Sequence, residues 1–175
     1  MAHFHTFNFG VNIIPPPPPG TAVAHHISQM PLQLLGLNFL LEVSTATAFV
    51  ASKNPVPRRA IPVMAHLDTG ASSTAIDESL ATHLGLISVG KGRNATANGF
   101  RESNFYVVDA AFINTPLKGI QNLQISSIHI PSFNLNAAIQ NPMVHQNFGV
   151  LIGRDILSRW QVTWHGPSST VFVSD

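Results

Sequence analysis

The sequence predicts a mainly β domain with one or two short helices. From about residue 31 onward, most segments alternate apolar and polar residues, the period of a half-buried strand. One stretch breaks that rule: Ile76, Leu80 and Leu84 are spaced by four, the period of an amphipathic helix. A third observation is Asn98-Gly99, the strongest two-residue hairpin signal in the chain.

The elements follow in order. Residues 1–30 form a Pro-rich tail, with Pro15 to Pro19 favouring extended polyproline II. Ahead of the prolines, Phe7, Phe9, Val11 and Ile13 alternate with polar residues and glycine. Two readings stand side by side: a tail that happens to alternate, or a strand that docks on a sheet edge. Residues 31–175 read as the folded domain. Leu37, Phe39, Leu41 and Val43 mark a first strand that can run on to Val50. Lys53 to Arg59, with two prolines and three basic residues, reads as an exposed loop. Ile61 to Leu67 is the next strand and ends at Asp68. In the helix that follows, Thr74 is placed to cap the start and Gly85 to close the end.

Beyond the helix, Phe105–Ile113, Leu123–Ile130, Val150–Ile152, Gln161–Trp164 and Thr170–Val173 read as strands. Pro131 to Gln146 reads as irregular, and Asp155 to Trp160 as a short helix. The chain has no internal repeat.

Composition narrows the function classes. Hydrophobic residues make up 45% of the 175, enough for a sizeable core, and charged residues only 10%. So low a charge content suggests a surface covered largely by Ser, Thr, Asn and Pro or by a partner chain. The net charge is +1 without a basic run, so nucleic-acid binding has no electrostatic support. Cysteine is absent, which excludes disulfides and thiolate metal sites and fits a reducing compartment. No apolar run is long enough to span a bilayer, and the N-terminus lacks the layout of a signal peptide, so a cytoplasmic protein is expected. His3, His5, His25 and His26 have no carboxylate nearby and read as scattered surface histidines rather than a metal site.

The chemistry concentrates at residues 66–73, HLDTGASS. A carboxylate at the end of a buried strand can serve as a general base if its neighbours hold it still and water can reach it. Gly70 permits close backbone approach, and the Thr69 hydroxyl can bond a facing partner. One carboxylate alone is a modest catalyst. Two that share a proton are better, because one activates water while the other polarises a carbonyl.

HLDTGAS, followed at residues 149–157 by GVLIGRDIL, resembles the retropepsin-like aspartic proteases, of cellular or bacterial type. The first piece matches the family's apolar-apolar-Asp-Thr-Gly-Ala signature. The second matches its apolar-apolar-Gly-Arg element. The Asn-Gly hairpin lies where the family carries its flap. The resemblance implies a retropepsin-like acid protease β-barrel that works as a two-fold homodimer, hydrolysing a polypeptide substrate without metal or cofactor. It implies that Asp68, Thr69 and Gly70 are catalytic, with Asp68 meeting Asp68 of a second copy because Asp-Thr-Gly occurs once. It places Ala71 and Ser72 beside the substrate, Ala97, Asn98 and Gly99 at the flap tip, and Gly153 and Arg154 in a structural role. Nucleic acid and membrane are not expected partners.

This chain departs from the family at three places. Ser72 and Ser73 stand where many viral members carry acids, so Arg154 needs another partner, either Asp77 or backbone carbonyls. The flap has less glycine than viral flaps. His66 stands where relatives usually put an apolar specificity residue. Two residues before Asp68 in a strand, it is expected on the same face. It is either a packed histidine or a group that shapes the pocket and adds a titration. The alternative to an enzyme is a non-catalytic dimerisation or peptide-binding module that keeps the fold.

Overall fold

The alternation in Leu37, Phe39, Leu41 and Val43 sets one face of the first barrel strand. All four are buried, at 4% exposure or less. In the computed structural model, residues 4–8, 37–52, 55–96, 99–113, 115, 117–144, 147–165 and 170–174 are described. The strands are β1 (Phe4–Asn8), β2 (Asn38–Thr45), β3 (Ala60–Leu67), β4 (Ala75–Asp77), β5 (Gly90–Thr96), β6 (Gly99–Phe112), β7 (Ile120–Ile128), β8 (Phe148–Ile152), β9 (Gln161–His165) and β10 (Thr170–Ser174). Four short helices accompany them: α1 (Thr47–Val50), α2 (Glu78–Leu84), α3 (Leu135–Gln140) and α4 (Arg154–Leu157).

The main sheet has the order β2-β3-β8-β4-β7-β6-β5, and β6 also pairs with β2. That extra pairing closes six strands into a barrel and leaves β5 as an outlying hairpin arm. Closure removes the sheet edges that would otherwise invite association. The barrel is mixed: β3–β8 and β4–β7 are parallel, the rest antiparallel. Its interior takes Leu41 and Val43 from β2, Val63 and Ala65 from β3, Val108 and Ala110 from β6, and Val150 and Ile152 from β8. Phe39, Phe112 and Trp160 close the interior as an aromatic trio, with ring centroids 5.1–6.1 Å apart. Such tilted and edge-on arrangements suit the ring quadrupoles.

A second, three-stranded sheet has the order β1-β10-β9. Phe4 pairs with Ser174 and Asn8 with Thr170, so β1 lines the edge of the C-terminal strand; of the alternating stretch Phe7–Ile13, only Phe7 and Asn8 belong to it. Phe9, Val11, Ile13 and Pro15 to Pro19 lie outside the described residues. So does the boundary expected at residue 30.

The structure changes several local expectations. The first strand stops at Thr45, and α1 takes Thr47–Val50, because the Asp109 carboxylate accepts from both the Thr47 N–H and its hydroxyl and turns the chain. Residues 75–77 are strand rather than helix. Asp77 therefore caps α2 in place of Thr74, accepting from the Ser79 N–H at 2.9 Å. Gly85 closes that helix as expected, in the left-handed region at φ 65°. The stretch expected to be irregular contains α3, capped by the Asn134 side chain on the Ala137 N–H. Thr96 pairs with Gly99, so the hairpin forms at the Asn-Gly site, with Gly99 as its first paired residue at φ 100°. Residues 97 and 98 between them lie outside the described residues.

Candidate active site

Asp68 leaves β3 at the point where the strand passes β8. Its N–H donates to the Ile152 carbonyl at 3.0 Å, which fixes the turn that follows. The turn folds back on the carboxylate. Asp68 Oδ1 accepts from the Gly70 N–H at 2.8 Å and from the Ala71 N–H at 3.3 Å. A side chain at residue 70 would put its Cβ 3.1 Å from that oxygen and crowd the carboxylate, which would have to give by a few tenths of an ångström. The φ of Gly70 is not positive. Thr69 and Gly70 are exposed, and the Thr69 hydroxyl has no hydrogen-bond partner among the described residues.

The second motif holds this loop from behind. The Arg154 N–H donates to the Ala71 carbonyl at 3.0 Å, and the Gly153 N–H donates to Thr74 Oγ1 at 3.1 Å. A Cβ on Gly153 would come within 2.6 Å of the Ser73 carbonyl oxygen, so only glycine lets the two segments touch. Asp155 completes the brace. Its carboxylate accepts from the Thr74 N–H at 3.0 Å and from the Thr74 hydroxyl at 2.8 Å. Thr74 is almost fully buried, so these bonds have no competition from water.

Asp68 opens into a cleft of about 460 Å³ lined also by Gly70, Ala71, Ser72, Ser73, Ala75, Asn94, Ser126, Ile128, His129 and Leu151. The structure thus brings Asp68, Gly70, Ala71 and Ser72 together, with Thr69 on the exposed rim. Asp68 is the one carboxylate lining the cleft among the described residues. Gly99 lies out on the hairpin and is not among the lining residues, and Ala97 and Asn98 fall outside the described ones. Sequence reasoning did not assign Ala75, Asn94, Ser126, Ile128, His129 or Leu151 to the cleft. Leu151 lies inside the quoted GVLIGRDIL motif and could have been found. Ser126, Ile128 and His129 carry no local signal; the parallel pairing of β7 with β4 brings in Ser126 and Ile128, and His129 follows directly after them.

His66 occupies a side compartment. Its ring stacks on Phe148 at 4.8 Å, and Nδ1 lies 2.7 Å from Asn38 Oδ1. The amide oxygen can only accept, so Nδ1 carries the proton. Burial lowers the His66 pKa, and the negative charge of Asp68 opposes that in part. The residue lies two positions before Asp68, yet it is not among those lining the cleft of the single protomer.

The expected partner for Arg154 is corrected. Asp77 is committed elsewhere, to the cap of α2 and to the Ile130 N–H at 2.8 Å. The Arg154 side chain is exposed and needs no buried counter-charge. Among the described residues no cluster of three metal-ligating side chains occurs, and no helix is long and apolar enough to cross a membrane.

The family model described as aspartyl protease matches residues 59–156, more than half of the chain. The chain belongs to the aspartyl protease family. The match runs from the start of β3 through the Asp68 loop into α4, so it takes in all of the first quoted motif of this aspartyl protease and all but Leu157 of the second. Among solved structures, the chain is similar to a retropepsin-like aspartic protease from Rickettsia conorii, at 14% identity and a TM-score of 0.45, covering 99% of this chain and 93% of that one. It is also similar to the retroviral protease-like domain of Ddi1 from Leishmania major, at 16% identity and a TM-score of 0.39, covering 73% and 81%. A third is the foamy viral protease–reverse transcriptase in complex with an RNA/DNA hybrid, at 14% identity and a TM-score of 0.37, covering 70% and 12%. No curated protein matches.

Proposed function

We propose that this aspartyl protease is an endopeptidase that acts as a homodimer, with Asp68 of each copy facing the other across a two-fold axis. The observation that carries this reading is the solitary carboxylate. Asp68 is held by two N–H groups in a cleft with no second acid among the described residues, on a loop whose Thr69 and Gly70 are exposed. A protomer so built holds half of a dyad.

Two carboxylates about 3 Å apart cannot both ionise, so the pair holds one proton between them. The ionised member takes a proton from water, and the oxygen attacks the scissile carbonyl. The protonated member donates to the carbonyl oxygen as the tetrahedral intermediate forms. Collapse returns a proton to the leaving nitrogen, and the peptide bond breaks without a covalent enzyme intermediate. The Gly70 and Ala71 N–H groups hold each carboxylate in register through these steps. The exposed Thr69 hydroxyls are free to brace one loop against the other. An extended substrate lies along the cleft, with Ala75, Ile128 and Leu151 offering apolar contact.

Asp68→Asn is the test. Cleavage of a peptide library falls by roughly 10²–10⁴-fold or more, the usual contribution of a general base, while the mass in solution stays that of a dimer. Wild-type protein that is inactive over a broad pH range, or monomeric while active, would overturn the proposal. The first outcome would leave a non-catalytic binding module.

A further inference from the structure

The barrel closes its edges everywhere along β3 except at the strand's start. β3 lies between β2 and β8, but β8 pairs with it only from Met64 to Leu67. Ala60 to Val63 are therefore paired with β2 alone among the described residues. Asn147, the residue before β8, is held away by reciprocal bonds with Asn134. The Asn134 N–H donates to Asn147 Oδ1 at 2.6 Å, and Asn147 Nδ2 donates to the Asn134 carbonyl at 2.9 Å.

The direction of the free backbone groups follows from parity. The Leu67 N–H points towards the β2 side, donating to the Leu37 carbonyl, and the Arg59 carbonyl accepts there from the Thr45 N–H. The Asp68 N–H points the other way, to Ile152. Successive residues alternate, so Ala60 and Pro62 direct their backbone groups to the unpaired side. Proline sits where a strand's N–H would otherwise face an open edge. Ala60 keeps both an N–H and a C=O there, and Pro62 adds a C=O.

This open edge is the floor of a groove of about 650 Å³. Ala138 and Ile139 of α3 form one wall, and His83 and Leu84 of α2 the other. Ile61 and Pro62 add apolar surface, and Arg58 and Arg59 stand at its mouth. Among the described residues no carboxylate lines it. Arg59 spends one guanidinium N–H on the His83 carbonyl at 3.3 Å, and Arg58 also acts on Asp109 outside the groove. The groove shares no residue with the Asp68 cleft.

We propose that this groove binds a short, acidic, extended segment of a partner protein, which adds to β3 as an extra strand beside Ala60–Pro62. Main-chain bonds to Ala60 and to the Pro62 carbonyl give affinity. Arg58, Arg59 and His83 select acidic side chains on one face of the added strand, and Pro62 and Ile139 receive apolar ones. The missing N–H of Pro62 keeps the added strand short. The site is independent of the proposed dyad.

The probe is a fluorescent peptide alternating Glu with Val, read by anisotropy against its Lys/Val counterpart. The Glu/Val peptide binds, weakens as salt rises, and loses affinity when the amides facing Ala60 and Pro62 are N-methylated. Arg59→Glu and Ile139→Glu, both at exposed positions, each weaken it by at least about tenfold. Ser72→Glu, in the other cleft, leaves it unchanged. Equal binding of the Lys/Val peptide, no binding of either, or sensitivity to Ser72→Glu with indifference to Arg59→Glu would overturn the proposal.

Discussion

Asp155→Ala removes the carboxylate that ties the two halves of the site together. Wild-type Asp155 accepts from the Thr74 N–H at 3.0 Å and the Thr74 hydroxyl at 2.8 Å, across 81 residues of sequence. Thr74 is 1% exposed, so in the wild-type fold neither donor has water as an alternative partner. Thr74 Oγ1 still accepts from the Gly153 N–H, but that contact does nothing for the two orphaned hydrogens. A buried donor left unmade costs ~1–3 kcal/mol, so the pair costs about 2–6 kcal/mol. In a chain this long, 1 kcal/mol moves Tm by ~2–4 °C, which puts the loss near ~12 °C. Thermal unfolding followed by circular dichroism, at one fixed protein concentration because assembly contributes to Tm, measures it directly. Asp155→Asn keeps one acceptor oxygen and loses the charge, so it falls between. A Tm for Asp155→Ala within ~2 °C of wild type would refute the reasoning, since it would mean these bonds hold nothing.

Three further outcomes are expected. Gly153→Ala drives a Cβ into the Ser73–Thr74 backbone, which has no rotamer by which to yield; it lowers stability by at least ~1–3 kcal/mol and pushes the Asp68 loop out of place, measurable as joint loss of Tm and cleavage. His66 has a native pKa below its ordinary 6.5, so the unfolded chain binds the extra proton more readily. Stability is therefore complete above 6.5 and declines as pH falls from there to the lowered native value; His66→Leu removes that slope from denaturant midpoints and alters the acid side of the pH–activity curve, and superimposable curves for the two proteins would rule out a titrating role. Deleting residues 1–8 removes β1 and opens the β10 edge, so light scattering should show higher-order association; unchanged scattering would mean that β1 does not guard it.

Sequence alone determined what is local. The period of two in Leu37–Val43 set a strand face, because side chains alternate whatever the partner strand is. Gly85 closed a helix because glycine enters the left-handed region at little cost. HLDTGAS and GVLIGRDIL pointed to the aspartyl protease family, since a held carboxylate and a glycine-tight contact demand particular residue types. Tertiary structure decided what depends on neighbours far along the chain. Asp77 takes the place of Thr74 as the helix cap because residues 75–77 pair with β7 and β8 as strand, and Thr74 bonds Asp155 instead. His66 turned to Asn38 and Phe148, a compartment made by three strands. Ser126 and Ile128 reached the cleft through a parallel pairing, and the open edge at Ala60–Pro62 exists because β8 begins too late to cover it. Periodicity reports which way a side chain points relative to its own strand. Which strand lies beside it, and where that pairing stops, is set by long-range closure of the barrel.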